Sequence, residues 1–530
     1  MRLIIRILEI ILLFPIDVFA QKAEIFNLEK LYDPLPSSGE FVSWKNDGIL
    51  VPIRYESKNS ERVEVSFSGL DADFQLYLLH EVLADFSAGN CGTTKKNGTF
   101  EKVMVPDRAE EKPDFSFEAD GKSQWLLVRV KPKSNSAAGK FPFAISFSQK
   151  TSKVDVKGHF TVKNKVLKES DQIDFYSDFW QFPLNVSDYC KIKPWSEEHW
   201  KEMEEMFEML SRINQQSITT SVFWDLYNSR ARRFDEMMIQ VSKTASGEFK
   251  YNYDIFERFV ELGIANGITA QISVHNLFPW NQQHFYFDEM SQEIKSVTAA
   301  PGSAAYQDFW KPFLVEFSDF LKKKNWLSRT VFFIDERDAN QSMLLINWVK
   351  GINPALNFAF SGRFSPAVST AVENYSVPMN VVIDPKYLKE RIAASKSTSL
   401  YTSCFEKANQ PNMLLTSDFR DTYFLVFLAK AKGYNGILRW AFNKWSSQIN
   451  TNAIYSDVPS GDAHFVYPNG QVSTRYLVLQ DAFEEIAKME TKDKVKKSQE
   501  MATSLTRYFL INIEKDRFAT VQSLKNYLND

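Results

Sequence analysis

The chain has 530 residues, too many for one ordinary domain and enough for a barrel with a satellite domain. With 63 basic and 66 acidic side chains the formal net charge is -3, so no basic excess is available to neutralise a phosphate backbone, and nucleic acid is not an expected partner. Aromatic residues make up 14% of the chain; most such rings pack cores, and a minority stack on sugar faces.

The first 21 residues, MRLIIRILEIILLFPIDVFAQ, read as an export signal over residues 1–20. Arg2 and Arg6 give a positive start, a short apolar run follows, and Val18-Phe19-Ala20 precedes the expected cleavage point. Charges interrupt the stretch too early for a membrane span, and no cysteine follows to carry a lipid. The mature protein is expected in a periplasmic or extracellular space. Cys91, Cys190 and Cys404 are an odd, widely spaced set, which predicts neither a disulfide framework nor a metal site. The six histidines are equally scattered, and no metal or cofactor is expected.

From residue 24 to 166 the pattern is β. The runs GILVPIRYE, RVEVSFSGL, FQLYLL, QWLLVRVKP, FPFAISFS and VDVKGHFTV alternate at period two between Gly, Asn, Ser and Asp breaks, as in an immunoglobulin-like sandwich. KPKSNSAAGK, residues 131–140, reads as a polar hairpin loop. Over 167–472 strands and helices alternate. Strands are predicted at 173–180, 217–224, 268–276, 330–336, 358–362, 380–384, 399–404 and 436–442. Helical faces include Met203, Met206, Phe207 and Leu210, then Phe256, Val260 and Ile264. Ser417 or Asp418 starts another helix, and Gly433 ends it. Eight strands alternating with helices predict a (β/α)8 barrel, whose catalytic residues stand at the C-terminal ends of strands. Residues 473–530 read as helices packed on the outside of the barrel.

The fourth predicted strand, TVFFIDE, ends on adjacent carboxylates, Asp335 and Glu336. Two other Asp-Glu pairs, Asp235-Glu236 and Asp288-Glu289, sit in FDEM contexts and are most simply solvated. A conventional retaining glycosidase places its two acids on opposite sides of the scissile bond, which neighbours cannot easily do. A 2-acetamido sugar removes the difficulty by supplying its own nucleophile. One acid then orients the amide while the other protonates the leaving oxygen. Repulsion from an ionised Asp335, together with partial desolvation, is expected to push Glu336 towards the protonated form an acid needs, with Arg337 opposing this if it turns inward. The alternative is a structural ion pair with Arg337 or a neighbour.

The segments DFWQFP, KPWSEEHW, FKYNYDIFERFVELGIANGI, KKNWLSRTVFFIDER, SLYTSC, GYNGILRWAFNKW, GDAHFVYPNG and STRYLVLQDAFEE occur in that order between residues 178 and 485. Together they resemble glycoside hydrolase family 123, the retaining β-N-acetylgalactosaminidases, and the associated bacterial domain of unknown function. The resemblance implies a β-sandwich followed by a (β/α)8 barrel, with Asp335 orienting the amide and Glu336 as general acid and base. Asp338, where the family more often has proline, and Arg439, where it commonly has an apolar or aromatic residue, depart from the pattern.

Other candidates stand at strand ends. Trp440 and Trp445 are sugar-pocket rings or core. Asn443 bonds a hydroxyl or caps a turn. His275 and Asn276 close the third strand, with Trp280 following. Tyr401 donates to an acetamide oxygen or fills the core. Asp178 and Trp180 end the first strand and Arg363 follows the fifth. Asp384 is the alternative carboxylate if the nucleophile belongs to the protein. The expected partner is a glycan or glycolipid bearing terminal β-linked N-acetylgalactosamine. The competing readings are a glycosidase of the same fold acting on another sugar, and a non-catalytic carbohydrate-binding barrel.

Overall fold

A computed structural model describes residues 21–30, 32–168, 173–227, 231–491, 494–508 and 514–530. The expected export signal, residues 1–20, lies outside the described residues. No described helix is long and apolar enough to cross a membrane, and no group of three or more His, Cys, Asp or Glu that could hold a metal occurs among the described residues.

The N-terminal region is two facing β-sheets. Strands Ile49–Ser57, Ala72–Asp85 and Ser123–Pro132 lie in a sheet of six, and Arg62–Ser68, Gly139–Ser148 and Lys153–Val166 in a sheet of five. Period-two alternation sends side chains of the six-stranded sheet to two different cores. Val51, Ile53, Leu76, Leu78, Leu126 and Val128 meet the other sheet's Val63, Phe143, Ile145 and Phe147. Leu50, Tyr77, Leu79, Trp125 and Leu127 point the other way, into the core shared with the barrel. This sheet is therefore buried on both faces, which is why its strands read as nearly continuous apolar runs.

The eight strands of the second region form a parallel, nearly closed barrel: Tyr176–Phe179, Ser217–Ser221, Gln271–His275, Thr330–Asp335, Asn357–Ser361, Asn374–Pro378, Ser397–Tyr401 and Gly436–Arg439. The first strand pairs with the eighth. It meets the second through Gln216 N donating to Ser177 O at 2.7 Å and Ser177 N donating to Asn214 O at 3.1 Å. Ser196 caps the helix Glu197–Ser211, and Gly433, at φ +77°, follows the helix Arg420–Ala431. A four-stranded sheet, drawn from residues 240–252 and 283–298, is an excursion the alternation did not announce.

Three expectations need correction. The sixth barrel strand is Asn374–Pro378, not 380–384; Asp384 instead caps the helix Pro385–Ala393, accepting from Lys386 N at 2.8 Å, with proline at its first position. Residues 131–140 do not close a hairpin, because the strands on either side belong to different sheets. Cys91 and Cys404 form a disulfide across 313 residues, a pairing invisible to spacing because only the tertiary fold brings them together. The helix Thr474–Met489 packs on the barrel's outer helix Arg420–Ala431, and the sandwich covers its other side. It lies between sandwich and barrel, with Arg475 bonded to Asp107 and Lys488 paired with Asp47. The helices Val495–Tyr508 and Glu514–Asn529 also pack against Arg420–Ala431.

Candidate active site

The C-terminal ends of the barrel strands surround a cavity of about 260 Å³ lined by both members of the acidic pair. Successive side chains of a strand point to opposite faces, so adjacency alone would separate them. The backbone resolves this. Glu336 has φ +49°, in the left-handed region that a non-glycine residue rarely adopts, and this turn brings its side chain round to the cavity that Asp335 already faces. Glu336 N still donates to Ser361 O at 2.8 Å, so the turn is anchored to the fifth strand. Gly362, at φ +144°, lies against the Glu336 Cα, where an added Cβ would stand 3.5 Å away.

Each carboxylate has dedicated donors. Ser361 Oγ donates to Asp335 Oδ1 at 2.7 Å, and Trp280 Nε1 donates to Oδ2 at 3.3 Å. The Tyr401 hydroxyl donates to Glu336 Oε1 at 2.5 Å. Desolvation pushes the Asp335 carboxyl up to about 6, the Ser361 hydrogen bond opposes this, and the Glu336 charge adds to it. Burial thus favours the protonated form of Asp335, the residue expected to be ionised. Arg337 does not pair with either acid: its guanidinium stacks on Trp280 at 4.6 Å and Phe278 at 4.8 Å, and Nε donates to Phe278 O at 3.3 Å.

Trp180, Trp440 and Tyr401 line the cavity as expected of strand-end residues. Trp440 Nε1 donates to Asp462 Oδ2 at 2.8 Å, while Asp462 Oδ1 accepts from Arg439 at 3.1 Å. Arg439 is completely buried and also donates to Asn412 Oδ1 at 2.8 Å, so this departure from the family pattern serves to hold Asp462.

The remaining candidates are elsewhere. His275 is buried behind the site, its ring parallel to Phe333 at 4.9 Å and edge-on to Trp180 at 5.0 Å; burial lowers it to about 3, so it stays neutral. Asn276 braces the loop after the second strand, donating to Asp225 O and Leu226 O at 2.9 and 3.1 Å. Asn443 clasps Phe182 through both its N and O, at 2.9 and 3.2 Å. Trp445 donates to Val466 O at 2.7 Å and packs on Tyr189. Arg363 is exposed and does not line the cavity. Asp178 is buried, accepts from Ser217 Oγ at 2.6 Å and does not line it either. Apart from Arg363, which faces solvent, these side chains have their polar atoms bonded to neighbouring groups or enclosed in the core.

Trp280 also lines the cavity, together with Ser361, Tyr227, Asp462 and Phe405, which the sequence pattern does not single out. Ser361 ends the fifth strand and Asp462 belongs to the Gly-Asp segment, so both had a positional signal. Tyr227 had none, being placed by a loop that Asn276 braces.

A family model for the glycoside hydrolase 123 catalytic domain matches residues 180–491, more than half of the chain. No curated protein sequence matches significantly. Among solved structures, a family 123 glycoside hydrolase from Clostridium perfringens superposes with a TM-score of 0.80 at 19% identity, covering 96% of this chain and 97% of that one. The Parabacteroides merdae β-glucuronidase, at TM-score 0.31 and 9% identity over 87% of this chain and 52% of that one, is too distant to inform the site. So is the Marinomonas ef1 β-galactosidase, at 0.36 and 8% over 62% of each. With the family model covering the second to eighth barrel strands and the acidic pair at their mouth, the chain belongs to glycoside hydrolase family 123.

Proposed function

We propose that this protein is a retaining glycosidase that releases terminal β-linked N-acetylgalactosamine from glycans or glycolipids, with the substrate's 2-acetamido group as nucleophile. The observation that carries the reading is the convergence of two sequence-adjacent carboxylates on one cavity through the left-handed turn at Glu336. Ionised Asp335 accepts the amide N–H and offsets the positive charge that develops as the amide oxygen attacks the anomeric carbon. The glycosidic C–O bond breaks, its electron pair goes to the leaving oxygen, and Glu336 supplies the proton. Because Tyr401 occupies Oε1, Oε2 is the oxygen free to carry it. Glu336, now a carboxylate, then takes a proton from water as that water attacks the anomeric carbon and the amide oxygen departs.

A protein nucleophile is less well supported. The other cavity carboxylate, Asp462, has both oxygens engaged by Arg439 and Trp440, and Asp384 is an exposed helix cap. The Clostridium perfringens structure is described through glycolipid glycan hydrolysis, which favours a glycolipid or related glycan here. The N-terminal pattern favours export, and the disulfide suits an oxidising compartment. We read the paired sheets as an immunoglobulin-like sandwich.

Kinetics with aryl β-N-acetylgalactosaminide, β-N-acetylglucosaminide and β-galactoside test the reading. The first is expected to be preferred and the last not to turn over. Glu336→Gln should lower kcat for the first by at least about a hundredfold. Preference for the plain galactoside, or a fully active Glu336→Gln variant, would refute the assignment.

A further inference from the structure

The sandwich grips the rim of the cavity. Where strand Ala72–Asp85 ends, Leu83 N donates to Thr451 O and Ala453 N donates to Leu83 O, both at 2.9 Å. Asp85 N donates to Ser460 Oγ at 3.1 Å, and Gly92 N donates to Asp457 O at 2.7 Å, beside the cavity residue Val458. The last tie is covalent: Cys91 is bonded to Cys404, which lines the cavity.

Cys404 belongs to the rim loop that follows the seventh barrel strand. The barrel holds this loop from its own side through Arg439 of the eighth strand, which donates to Thr402 Oγ1 at 3.1 Å, and Asn412 Nδ2 of the loop itself donates to Ser403 O at 2.7 Å. Within the loop, Ser403 N donates to Glu406 Oε2 at 2.7 Å. What this ordering presents is Phe405, a cavity-lining ring left 69% exposed. Trp280, 50% exposed, lines the same cavity, oriented by Arg337 stacked on its ring. The exposed ring of Phe405 therefore stands beside the cavity on a loop tied down from two domains.

We propose that the Cys91–Cys404 disulfide makes the sandwich a working part of the active site: it fixes the rim loop so that Phe405, with Trp280, receives the saccharide on the leaving side of the scissile bond. This rests on the glycosidase reading above. A cavity of about 260 Å³ is at the small end for ligand sites and suits one sugar ring, so the rest of a glycan has to cross the rim. Phe405 and Trp280 meet it there with aromatic faces that cover sugar C–H groups.

The test compares two substrates sharing a glycone, using the full chain. β-N-acetylgalactosaminyl fluoride has a leaving group too small to reach the rim, whereas a disaccharide with the same residue β-linked to galactose must touch it. Phe405→Ala is expected to lower the disaccharide-to-fluoride ratio of kcat/KM about tenfold. The Cys91→Ser/Cys404→Ser double variant is expected to lower the same ratio. If that variant does not fold, wild-type protein reduced with dithiothreitol replaces it, with thiol titration in denaturant confirming reduction. An unchanged ratio in either arm, or an equal loss on both substrates, overturns the proposal and leaves the glycosidase reading intact. Wild-type protein that cleaves neither substrate overturns both.

Discussion

Desolvation raises the Asp335 carboxyl to about 6, and Ser361 and Trp280 restrain that rise by donating to its two oxygens. Two measurable consequences follow from this one residue. If Asp335 must be ionised to receive the amide N–H, kcat/KM rises with pH through about 6 in the free enzyme. Ser361→Ala removes a donor that favours the charged form, so this acidic limb should move to higher pH; a pH–rate profile that stays in place or moves down contradicts the assignment. Stability runs the other way. A carboxyl whose folded value lies above its unfolded one, about 3.9, stabilises the fold only while protonated, and its ionisation costs stability as pH rises through about 6. Asp335→Asn should therefore stabilise the protein by about 1–2 kcal/mol at about pH 8, a figure reduced for solvent reaching the group through the cavity, and by almost nothing below about pH 4. Denaturant midpoints at the two pH values, read beside the loss of activity, check whether catalysis here is held at the expense of stability.

At the scale of elements, the legible parts are those where one local rule dominates. Seven of the eight barrel strands fall where apolar runs alternate with helical faces, because a buried parallel strand needs such a run. The sixth is displaced because NVVID is the more β-like string, yet its final Asp with the following Pro is a helix start, and Val382 ends up 69% exposed. The true strand, Asn374–Pro378, is chosen by its partners, with Ser376 and Ser399 bonded across it. The acidic pair was legible as strand-end residues. The turn that makes it a site was not, since nothing in Asp-Glu-Arg demands a left-handed Glu336; its backbone is anchored by the bond from Glu336 N to Ser361 O on the neighbouring strand. His275, Asn276 and Asn443 show the converse: polar strand-end residues whose side chains serve the loops and core around the pocket.

For the molecule as a whole, sandwich and barrel are joined by charges that water does not reach. Lys488 is completely buried, with Nζ 2.8 Å from Asp47 of the sandwich and 3.1 Å from Glu485 on its own helix. It also donates to Asn529 of the C-terminal helix at 2.8 Å. Its attraction to these carboxylates outweighs its own desolvation and holds it protonated. A buried pair adds little over an apolar replacement, but removing one partner strands the other, at a cost of about 3–5 kcal/mol. Lys488→Met fills similar volume while leaving Asp47 and Glu485 unpaired. It should lower neutral-pH stability by about that amount, and adding Asp47→Asn should restore part of it. If the junction binds the two regions into one cooperative unit, urea unfolding of the Lys488→Met variant, followed by tryptophan fluorescence and by residual hydrolysis, should show both signals lost at the same lowered midpoint. An unchanged midpoint would mean that the ion cluster is dispensable. A fluorescence transition that does not coincide with the loss of activity would mean that the molecule does not unfold as one unit.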